Sequence, residues 1–295
     1  MTRNDFLRIV AIETKIISLS SFLIGTVYAA TAGAAFSWPL FWLMLGAVLS
    51  VDLATASFNN YFDFRRGVDT KESDLIGDKV LVHRPLDPRL ALRIAGVFYL
   101  LAATLGLAIG ALAGYEIVIA GALCMAVAFF YSGGPRPLAE TPFGELFAGG
   151  FLGLVLVVLA AYVQTGTVDS DALLLGIPST LLIASILTVN NTCDLEGDRR
   201  AGRRTWSIAL GRRAAAGVVY ASGALAYGVA FVLIPLGVLP AIGALPLAAA
   251  AFYTTFEYRR LHRTGYTAAA KGRAMGAISR ILMVYTLAVI VARVM

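Results

Sequence analysis

Nine apolar segments recur along the 295-residue chain, each close to the length of a membrane-spanning helix. They cover roughly residues 14–31, 37–58, 90–112, 115–131, 143–164, 172–189, 214–236, 239–254 and 274–294. A helix needs about 20 apolar residues to cross a hydrocarbon layer of about 30 Å. Because that layer offers no water to the backbone amides, each spanning segment has to be helical. The pattern predicts an all-α membrane protein in which residues 1–295 form one polytopic domain.

The composition agrees with a bilayer as the solvent. Hydrophobic residues make up 59% of the chain and charged residues 14%, whereas a soluble domain carries about 25% charged residues. The formal net charge of +6 could suggest a nucleic-acid partner, but the positions of the charges argue against one. We therefore expect the lipid bilayer, and no nucleic acid, as a partner.

Lys and Arg residues alternate between the loops. The loops after the second, fourth, sixth and eighth apolar segments are rich in them, and those after the first, third, fifth and seventh contain none. Because basic loops stay in the cytoplasm, we expect the N-terminus and these basic loops to be cytoplasmic and the C-terminus to lie outside. The first segment lacks a small-residue cleavage signature, which favours a signal anchor over a removed signal peptide.

Two of the basic loops also contain an acidic repeat, Asn-Asn-x-x-Asp followed by a further Asp. The first copy spans residues 59–69 and the second spans residues 190–198, each where an even-numbered segment ends. Residues four apart share a helix face. Asn59 and Asp63 should therefore point the same way, as should Asn190, Asp194 and Asp198. Gly67 is expected to end the helix and carry Asp69 back toward it.

Clustered carboxylates repel one another unless a cation lies between them. Magnesium takes oxygen ligands, usually one or two carboxylates together with phosphate oxygens and water. Two acidic motifs on opposite walls could each hold one ion and clamp a diphosphate. Neighbouring basic residues, namely Arg66, Lys71, Arg199 and Arg203, could take up the remaining phosphate charge. Helix capping and solvated loop charge are the alternative explanations of the two motifs.

The motifs resemble those of the UbiA superfamily of membrane prenyltransferases, whose members carry two Asp-rich motifs on nine helices around a central cavity. The resemblance covers about residues 15–215. The wider spacing of the first motif and the stretches 60–71, 131–135 and 194–205 are similar to the branch that prenylates 1,4-dihydroxy-2-naphthoate in menaquinone biosynthesis. Two features depart from that branch: Asn60 stands where many members have Asp, and Arg84-Pro85-Leu86 is similar to the 4-hydroxybenzoate branch.

The resemblance implies a Mg²⁺-dependent transfer of a prenyl group from a polyprenyl diphosphate to an aromatic acceptor. It also implies which residues hold two magnesium ions, with the four aspartates as the catalytic residues: Asn59, Asp63 and Asp69 for one ion, and Asn190, Asp194 and Asp198 for the other. Residues expected to bind the diphosphate are Lys15, Arg66, Lys71, Tyr131, Ser132 and Arg199. Asp52, an acid within an apolar segment, and Asn191 are candidates for the acceptor site.

Three other functions remain open at this point. The acceptor could be another aromatic compound such as 4-hydroxybenzoate. A cation-coupled transporter also places carboxylates and repeats in a helical bundle, but its sites lie near the bilayer midplane on broken helices. A non-catalytic relative that binds lipid would not need the motif carboxylates, nearly all of which are present. The sequence favours the enzyme because its acids lie at helix ends among Arg and Lys residues.

Overall fold

A computed structural model describes residues 1–33, 35–72, 74–77 and 79–295, and these residues form helices and no strand. The nine longest helices within the described residues have the following bounds: α1 Ile16–Thr31, α2 Trp38–Arg65, α3 Arg89–Ala113, α4 Glu116–Ser132, α5 Gly144–Thr165, α6 Ser170–Cys193, α7 Trp206–Val232, α8 Ala244–Thr264 and α9 Lys271–Val294. Short helices at Arg3–Ile9, Val80–His83 and Leu195–Arg200 lie between or before them. The all-helical prediction is confirmed.

Seven of these nine helices are long and apolar enough to cross a membrane, counting only the residues that the structure describes. The exceptions are α4, which has only 17 residues, and α8, which ends in a run of charged residues. Arg side chains at a helix end can hold their charge in the interface while their stems lie along apolar surface. The predicted count of nine spans therefore stays a prediction.

The bounds of several helices differ from the predicted segments. α7 begins at Trp206 instead of 214, with a non-helical residue at Gly211. α2 continues past the predicted end at 58 to Arg65, because the acidic motif extends the helix instead of leaving it. α8 begins at Ala244, after a short 3₁₀ turn at Ala241–Gly243, and not at 239. Pro246 lies in its first turn, where proline costs no helical hydrogen bond.

α1 and α6 lie at the centre of the bundle. α1 contacts α2, α5, α6 and α9, whereas α6 contacts α5, α7 and α9 as well. The largest hydrophobic cluster joins these helices through side chains such as Ile24, Leu182 and Tyr285. Large apolar side chains on the outer helices, Leu100 and Phe252 among them, are exposed. In water such a surface would drive association, so it suits contact with lipid.

α5 and α6 approach each other closely through glycines. A Cβ added at Gly153 would lie 2.5 Å from the Cα of Thr180, and one at Gly149 would lie 2.7 Å from the Thr180 carbonyl oxygen. Gly153 belongs to a π-helical stretch, Gly150–Val155, within α5. Gly149 and Gly153 therefore permit the close approach, whereas a Cβ at Gly150 would meet nothing within 4 Å.

The N-terminal helix is fastened to the end of α2 that carries the first acidic motif. The Asn60 side-chain amide donates to the Ile9 carbonyl at 2.9 Å and to the Ala56 carbonyl at 3.1 Å. Asp5 closes a capping box with Thr2. The N-terminus and the first motif therefore lie at the same end of the bundle.

Candidate functional site

The first acidic motif occupies the last turns of α2 and the reversal that follows. Asn59 Nδ2 donates to Asp63 Oδ2 at 3.1 Å, so the two side chains share one face as predicted. The helix ends at Arg65, and Gly67 has a φ of +71°. This left-handed conformation suits glycine and turns the chain back, so that the Asp69 amide donates to the Asp63 carbonyl at 3.3 Å. Asp69 is thus returned to the helix end.

The second motif differs from the continuous helix face that its spacing predicts. α6 ends at Cys193, and Asp194 leaves the helical conformation with φ −88° and ψ 3° before the short helix Leu195–Arg200 begins. The spacing of four is nevertheless kept, because the Asp198 amide donates to the Asp194 carbonyl at 2.9 Å. Asp198 is buried and Asp194 is half-buried.

A single guanidinium joins the two motifs. Arg203 Nη2 lies 2.8 Å from Asp63 Oδ1, and its Nη1 lies 3.2 Å from Asp198 Oδ1. Asp63 is only 4% exposed. A buried ion pair is stable only when its geometry is good and further hydrogen bonds are made. The planar guanidinium of Arg203 has several N–H donors and can bind two carboxylates at once. The acidic motifs therefore face each other across Arg203.

Two lysines pair with the remaining motif aspartates. Lys79 Nζ lies 3.0 Å from Asp69 Oδ2, and Lys271 Nζ lies 2.6 Å from Asp194 Oδ2. Sequence reasoning assigned neither lysine to the site, because Lys271 is far from both motifs along the chain and no local pattern links it to them. Every motif aspartate thus has a cationic partner from the chain itself.

Burial is the largest influence on the pKa values of two aspartates in the site. It raises the pKa of Asp198 to about 6, although the adjacent Arg203 opposes the shift. It also raises the pKa of Asp69, with Lys79 opposing. The two carboxylates beside Arg203 keep the pKa of its guanidinium above its ordinary value despite burial. A cation that entered this site would favour the ionised form of each acid.

Lys15, a predicted diphosphate-binding residue, is buried and bound to another candidate. Its Nζ lies 2.5 Å from Asp52 Oδ1 and 3.1 Å from the Asp52 carbonyl oxygen. Ser18 donates to the other carboxylate oxygen of Asp52. The Lys15 ammonium thus turns toward α2. Asp52 is neutralised here by Lys15.

Arg66 is exposed, and its guanidinium binds the loop that follows α4. Its guanidinium donates to the carbonyls of Ser132 at 2.6 Å and Gly134 at 2.9 Å, and lies 3.3 Å from Glu140 Oε1. Ser132 Oγ in turn accepts a hydrogen bond from Asn59 Nδ2 at 3.1 Å. The loop after α4 is thereby fixed against the first motif.

The other predicted diphosphate-binding residues divide into two groups. Tyr131 directly precedes Ser132, whose Oγ accepts a hydrogen bond from Asn59 Nδ2, so the two residues lie on the wall of the site beside the first motif. Lys71 and Arg199 are exposed on the loops, and Arg199 lies 3.7 Å from Glu196. The basic residues in contact with the acids are instead Arg203, Lys79 and Lys271.

Asn191, a predicted acceptor residue, leads to a carboxylate that sequence reasoning missed. Its Nδ2 donates to Glu145 Oε1 at 2.7 Å, and its Oδ1 lies 3.4 Å from Asn190 Nδ2. Glu145 is 2% exposed and stands in the first turn of α5. An acid inside an apolar segment is the signal that drew attention to Asp52, and it applies equally to Glu145.

The oxygen donors of this site suit magnesium. They are carboxylates and amides, the hard ligands that Mg²⁺ prefers, and Asp198 Oδ2 is buried without a hydrogen-bond partner. In the described residues no three His, Cys, Asp or Glu side chains form a ready cluster. Magnesium does not need one, since it uses one or two carboxylates and completes its shell with phosphate and water.

A cavity of about 610 Å³ is lined by Arg273 in α9 and by residues near the end of α8, namely Phe256, Arg259, Arg260, Arg263 and Thr264. It contains none of the predicted site residues. The hydrogen-bonded acids around Arg203 therefore define the candidate site better than this surface opening does.

Known proteins share both sequence and fold with this chain. A model of the UbiA prenyltransferase family matches residues 18–284. The 1,4-dihydroxy-2-naphthoate octaprenyltransferase of Bacillus subtilis (strain 168) is 39% identical over 188 residues, which span 64% of this chain and 60% of that relative. The match thus covers less than two thirds of the relative's length.

Two solved structures superpose over nearly the whole chain. The apo structure of a UbiA homolog from Aeropyrum pernix K1 has a TM-score of 0.70 at 20% identity and covers 93% of this chain and 97% of its own. A UbiA homolog from Archaeoglobus fulgidus bound to GPP and Mg²⁺ has a TM-score of 0.63 at 18% identity, covering 97% and 99%. These likenesses show a shared helical fold.

Proposed function

The chain belongs to the UbiA prenyltransferase family, and we propose that it transfers a prenyl group from a polyprenyl diphosphate to 1,4-dihydroxy-2-naphthoate in menaquinone biosynthesis. The observation that carries the proposal is the meeting of two Asp motifs at Arg203. The name of the Bacillus subtilis relative supports the naphthoate acceptor, and the ligands of the Archaeoglobus fulgidus homolog support magnesium and a prenyl diphosphate.

Two magnesium ions would be held by the two motifs, one by Asn59, Asp63 and Asp69 and the other by Asn190, Asp194 and Asp198. Bound magnesium would draw charge from the leaving diphosphate and so favour cleavage of the allylic carbon–oxygen bond.

The chain's own cations have a second role in this proposal. Lys79, Lys271 and Arg203 neutralise the motif aspartates, and a metal ion would compete with them for the same carboxylate oxygens. Once displaced, they are the nearest positive charges for the phosphate oxygens of the substrate. Tyr131 and Ser132 lie on the same wall and would donate hydroxyl hydrogen bonds to the diphosphate.

The membrane location suits the substrate. Each buried methylene of a prenyl tail contributes about 0.8 kcal/mol of transfer free energy, so the tail remains in hydrocarbon while its diphosphate reaches the acids at one end of the bundle. We place that end in the cytoplasm, because the basic loops lie there. A cation-coupled transporter would instead place its acids near the midplane on broken helices.

The test is turnover by the purified protein in detergent with prenyl diphosphate, magnesium and a panel of aromatic acceptors, with products detected by mass spectrometry. We expect a prenylated naphthoquinol product. Asp63→Asn and Asp194→Asn should each lower activity by about 10- to 100-fold or more, whereas Asp87→Asn, at an exposed loop position, should not. Wild-type protein that prenylates no aromatic acceptor would overturn the proposal.

A further inference from the structure

Three charged side chains among the described residues keep a buried atom without a hydrogen-bond partner. The atoms are Glu145 Oε2, Asp198 Oδ2 and Arg203 Nε. Arg203 binds Asp198, and Glu145 is linked to the same second motif through Asn191, which contacts Asn190. An unsatisfied buried polar atom costs about 1–3 kcal/mol, and more when the group is charged. Their collection beside the second motif indicates a place where a ligand completes the hydrogen bonding.

Asp198 and Arg203 belong to the acidic motifs, but Glu145 does not. Its Oε1 is occupied by Asn191 Nδ2 at 2.7 Å, which leaves only Oε2 for a ligand. No Lys, Arg or His in the described part of the chain forms an ion pair with it. A buried carboxylate in this situation needs a hydrogen-bond donor.

The helices hold Glu145 firmly in position. The close approach of Gly149 and Gly153 to Thr180 fixes α5 against α6 within two turns of Glu145. The π-helical stretch Gly150–Val155 follows directly, and such stretches frequently occur at functional sites. The side chain is therefore oriented before any ligand binds, as specific recognition requires.

The negative charge of the Glu145 carboxylate determines which kind of ligand group can bind to Oε2. A diphosphate oxygen would be repelled by the carboxylate. The hydroxyl of an electron-rich aromatic ring carries an acidic O–H, with a pKa of about 10 in the tyrosine side chain, and donates well to a carboxylate. The prenyl acceptor of the proposed function brings such a hydroxyl.

We propose that Glu145, oriented by Asn191, binds the aromatic acceptor by accepting a hydrogen bond from a ring hydroxyl. This inference rests on the proposed function and adds the residue that selects hydroxylated rings. The hydrogen bond increases electron density on the ring and fixes which carbon faces the allylic group.

The first test compares Glu145→Gln with wild type in Mg²⁺-saturated turnover assays. The amide must present its oxygen to Asn191 and its NH₂ to the hydroxyl, so the hydroxyl can no longer donate to residue 145 and loses the bond to a charged acceptor. We expect the acceptor KM to rise about tenfold, which corresponds to 1.4 kcal/mol, while the KM for prenyl diphosphate changes less than about twofold. An unchanged acceptor KM would overturn the inference.

Glu257→Gln is the matched control. Glu257 is a buried glutamate whose two carboxylate oxygens are bound by Arg280 at 3.0 and 2.7 Å, with Tyr253 donating as well. Its substitution removes the same charge from another buried place, so any loss of stability should leave the acceptor KM within about twofold of wild type. An equal rise in both variants would show a general folding effect and refute a role for Glu145.

The second test uses a non-reacting naphthol and its methyl ether as competitive inhibitors against the acceptor. Methylation removes the hydroxyl donor, so it should weaken inhibition about tenfold in wild type and less than about twofold in Glu145→Gln. The same loss in both proteins would contradict the inference. Should Glu145→Gln fail to fold, Asn191→Ala decides instead: a raised acceptor KM supports the inference and an unchanged one overturns it.

The two proposals fail in different ways. Wild-type protein that forms no prenylated product removes the proposed function and this inference with it. Wild-type protein that is active, together with a Glu145→Gln variant of normal acceptor KM, removes only the inference.

Discussion

Arg203 separates two carboxylates that would otherwise repel each other, and all three groups are largely removed from water. Removing one partner of a buried charge pair typically costs about 3–5 kcal/mol, because the remaining charge is left uncompensated. The magnesium proposed for this site could supply the missing charge. Arg203 is therefore the residue at which stability and metal binding should be linked.

We expect Arg203→Gln to unfold at a markedly lower temperature than wild type in EDTA and to recover much of the difference in millimolar Mg²⁺. Thermal unfolding in detergent measures both effects. Arg199→Gln, at an exposed position, should change little under either condition. A loss in Arg203→Gln that magnesium leaves untouched would argue against metal binding between the motifs.

Asn60 illustrates a residue whose structural role differs from its position in a motif. Both of its amide donors are used, for the carbonyls of Ile9 and Ala56. A carboxylate there would face two carbonyl oxygens with no proton to donate. The substitution of Asn for the Asp of many family members is thus explained by packing against the N-terminal helix.

Asn60→Asp should consequently lower the free energy of unfolding by about 1–3 kcal/mol, the cost of buried unsatisfied polar groups. Asn4→Asp makes the same chemical change at an exposed position and should be neutral. Comparison of the two melting temperatures in detergent checks this. A more stable Asn60→Asp protein in magnesium would instead mean that residue 60 can bind the metal.

At the scale of residues, the sequence identified the acids but not their partners. Asn59, Asp63 and Asp69 could be grouped because spacing along one helix and a glycine turn determine their positions. Lys79 could not be, because it follows Asp69 by ten residues and lies outside the helical spacing. Lys271 and Glu145 could not be, because their contacts arise from packing between segments distant in sequence. Long-range pairing of this kind leaves no local pattern.

At the scale of elements, the contact between α5 and α6 determines where Glu145 and Asn191 meet. The Gly153 backbone lies so close to Thr180 that a methyl group has no room. The atoms of Thr180 at this contact include backbone atoms, so a change of its side-chain rotamer would not make room for the added methyl group. The clash would have to be removed by moving α5 and α6 apart.

Gly153→Ala is expected to destabilise the protein by about 1–3 kcal/mol, the usual cost of overpacking, and to raise the acceptor KM by moving Glu145. Gly150→Ala provides the control, since a Cβ there meets nothing within 4 Å. Thermal unfolding and acceptor kinetics of both variants decide the matter. Equal behaviour of the two alanine variants would show that the contact is not tight.

Helix bounds were predictable where apolar runs end in loops, and less so where function extends a helix. The run from 37 predicted α2 well at its start, but residues 59–65 still form helix although Asn59, Asn60, Asp63 and Arg65 interrupt the apolar run. The interruption at Asp194 could not be predicted, because residues 190–198 keep a helical spacing across it.

For the molecule as a whole, the charge pattern predicts sidedness. The N-terminal helix and both acidic motifs lie at one end of the bundle, together with the basic residues Lys79, Arg203 and Lys271. Exposed positions on the two ends offer a direct measurement. Lys71 belongs to the motif end and Thr167 to the loop between α5 and α6.

Single cysteines at these positions, in a chain with Cys124 and Cys193 replaced by alanine, should report the orientation. We expect Lys71→Cys to react with a membrane-impermeant maleimide only after cells are permeabilised. Thr167→Cys should react in intact cells. The reverse pattern would place the acidic motifs outside and contradict the positive-inside assignment.

The pairing of each motif aspartate with Arg203, Lys79 or Lys271 has one more consequence. A divalent ion that bound alone would leave these basic side chains without counterions and next to another positive charge. A diphosphate that bound alone would lie close to carboxylates and would have to compete with them for the basic side chains. A complex of magnesium with the diphosphate avoids both problems, because the metal binds the carboxylates while the diphosphate binds the basic side chains. We therefore expect the resting protein to bind neither component well by itself and to admit them together.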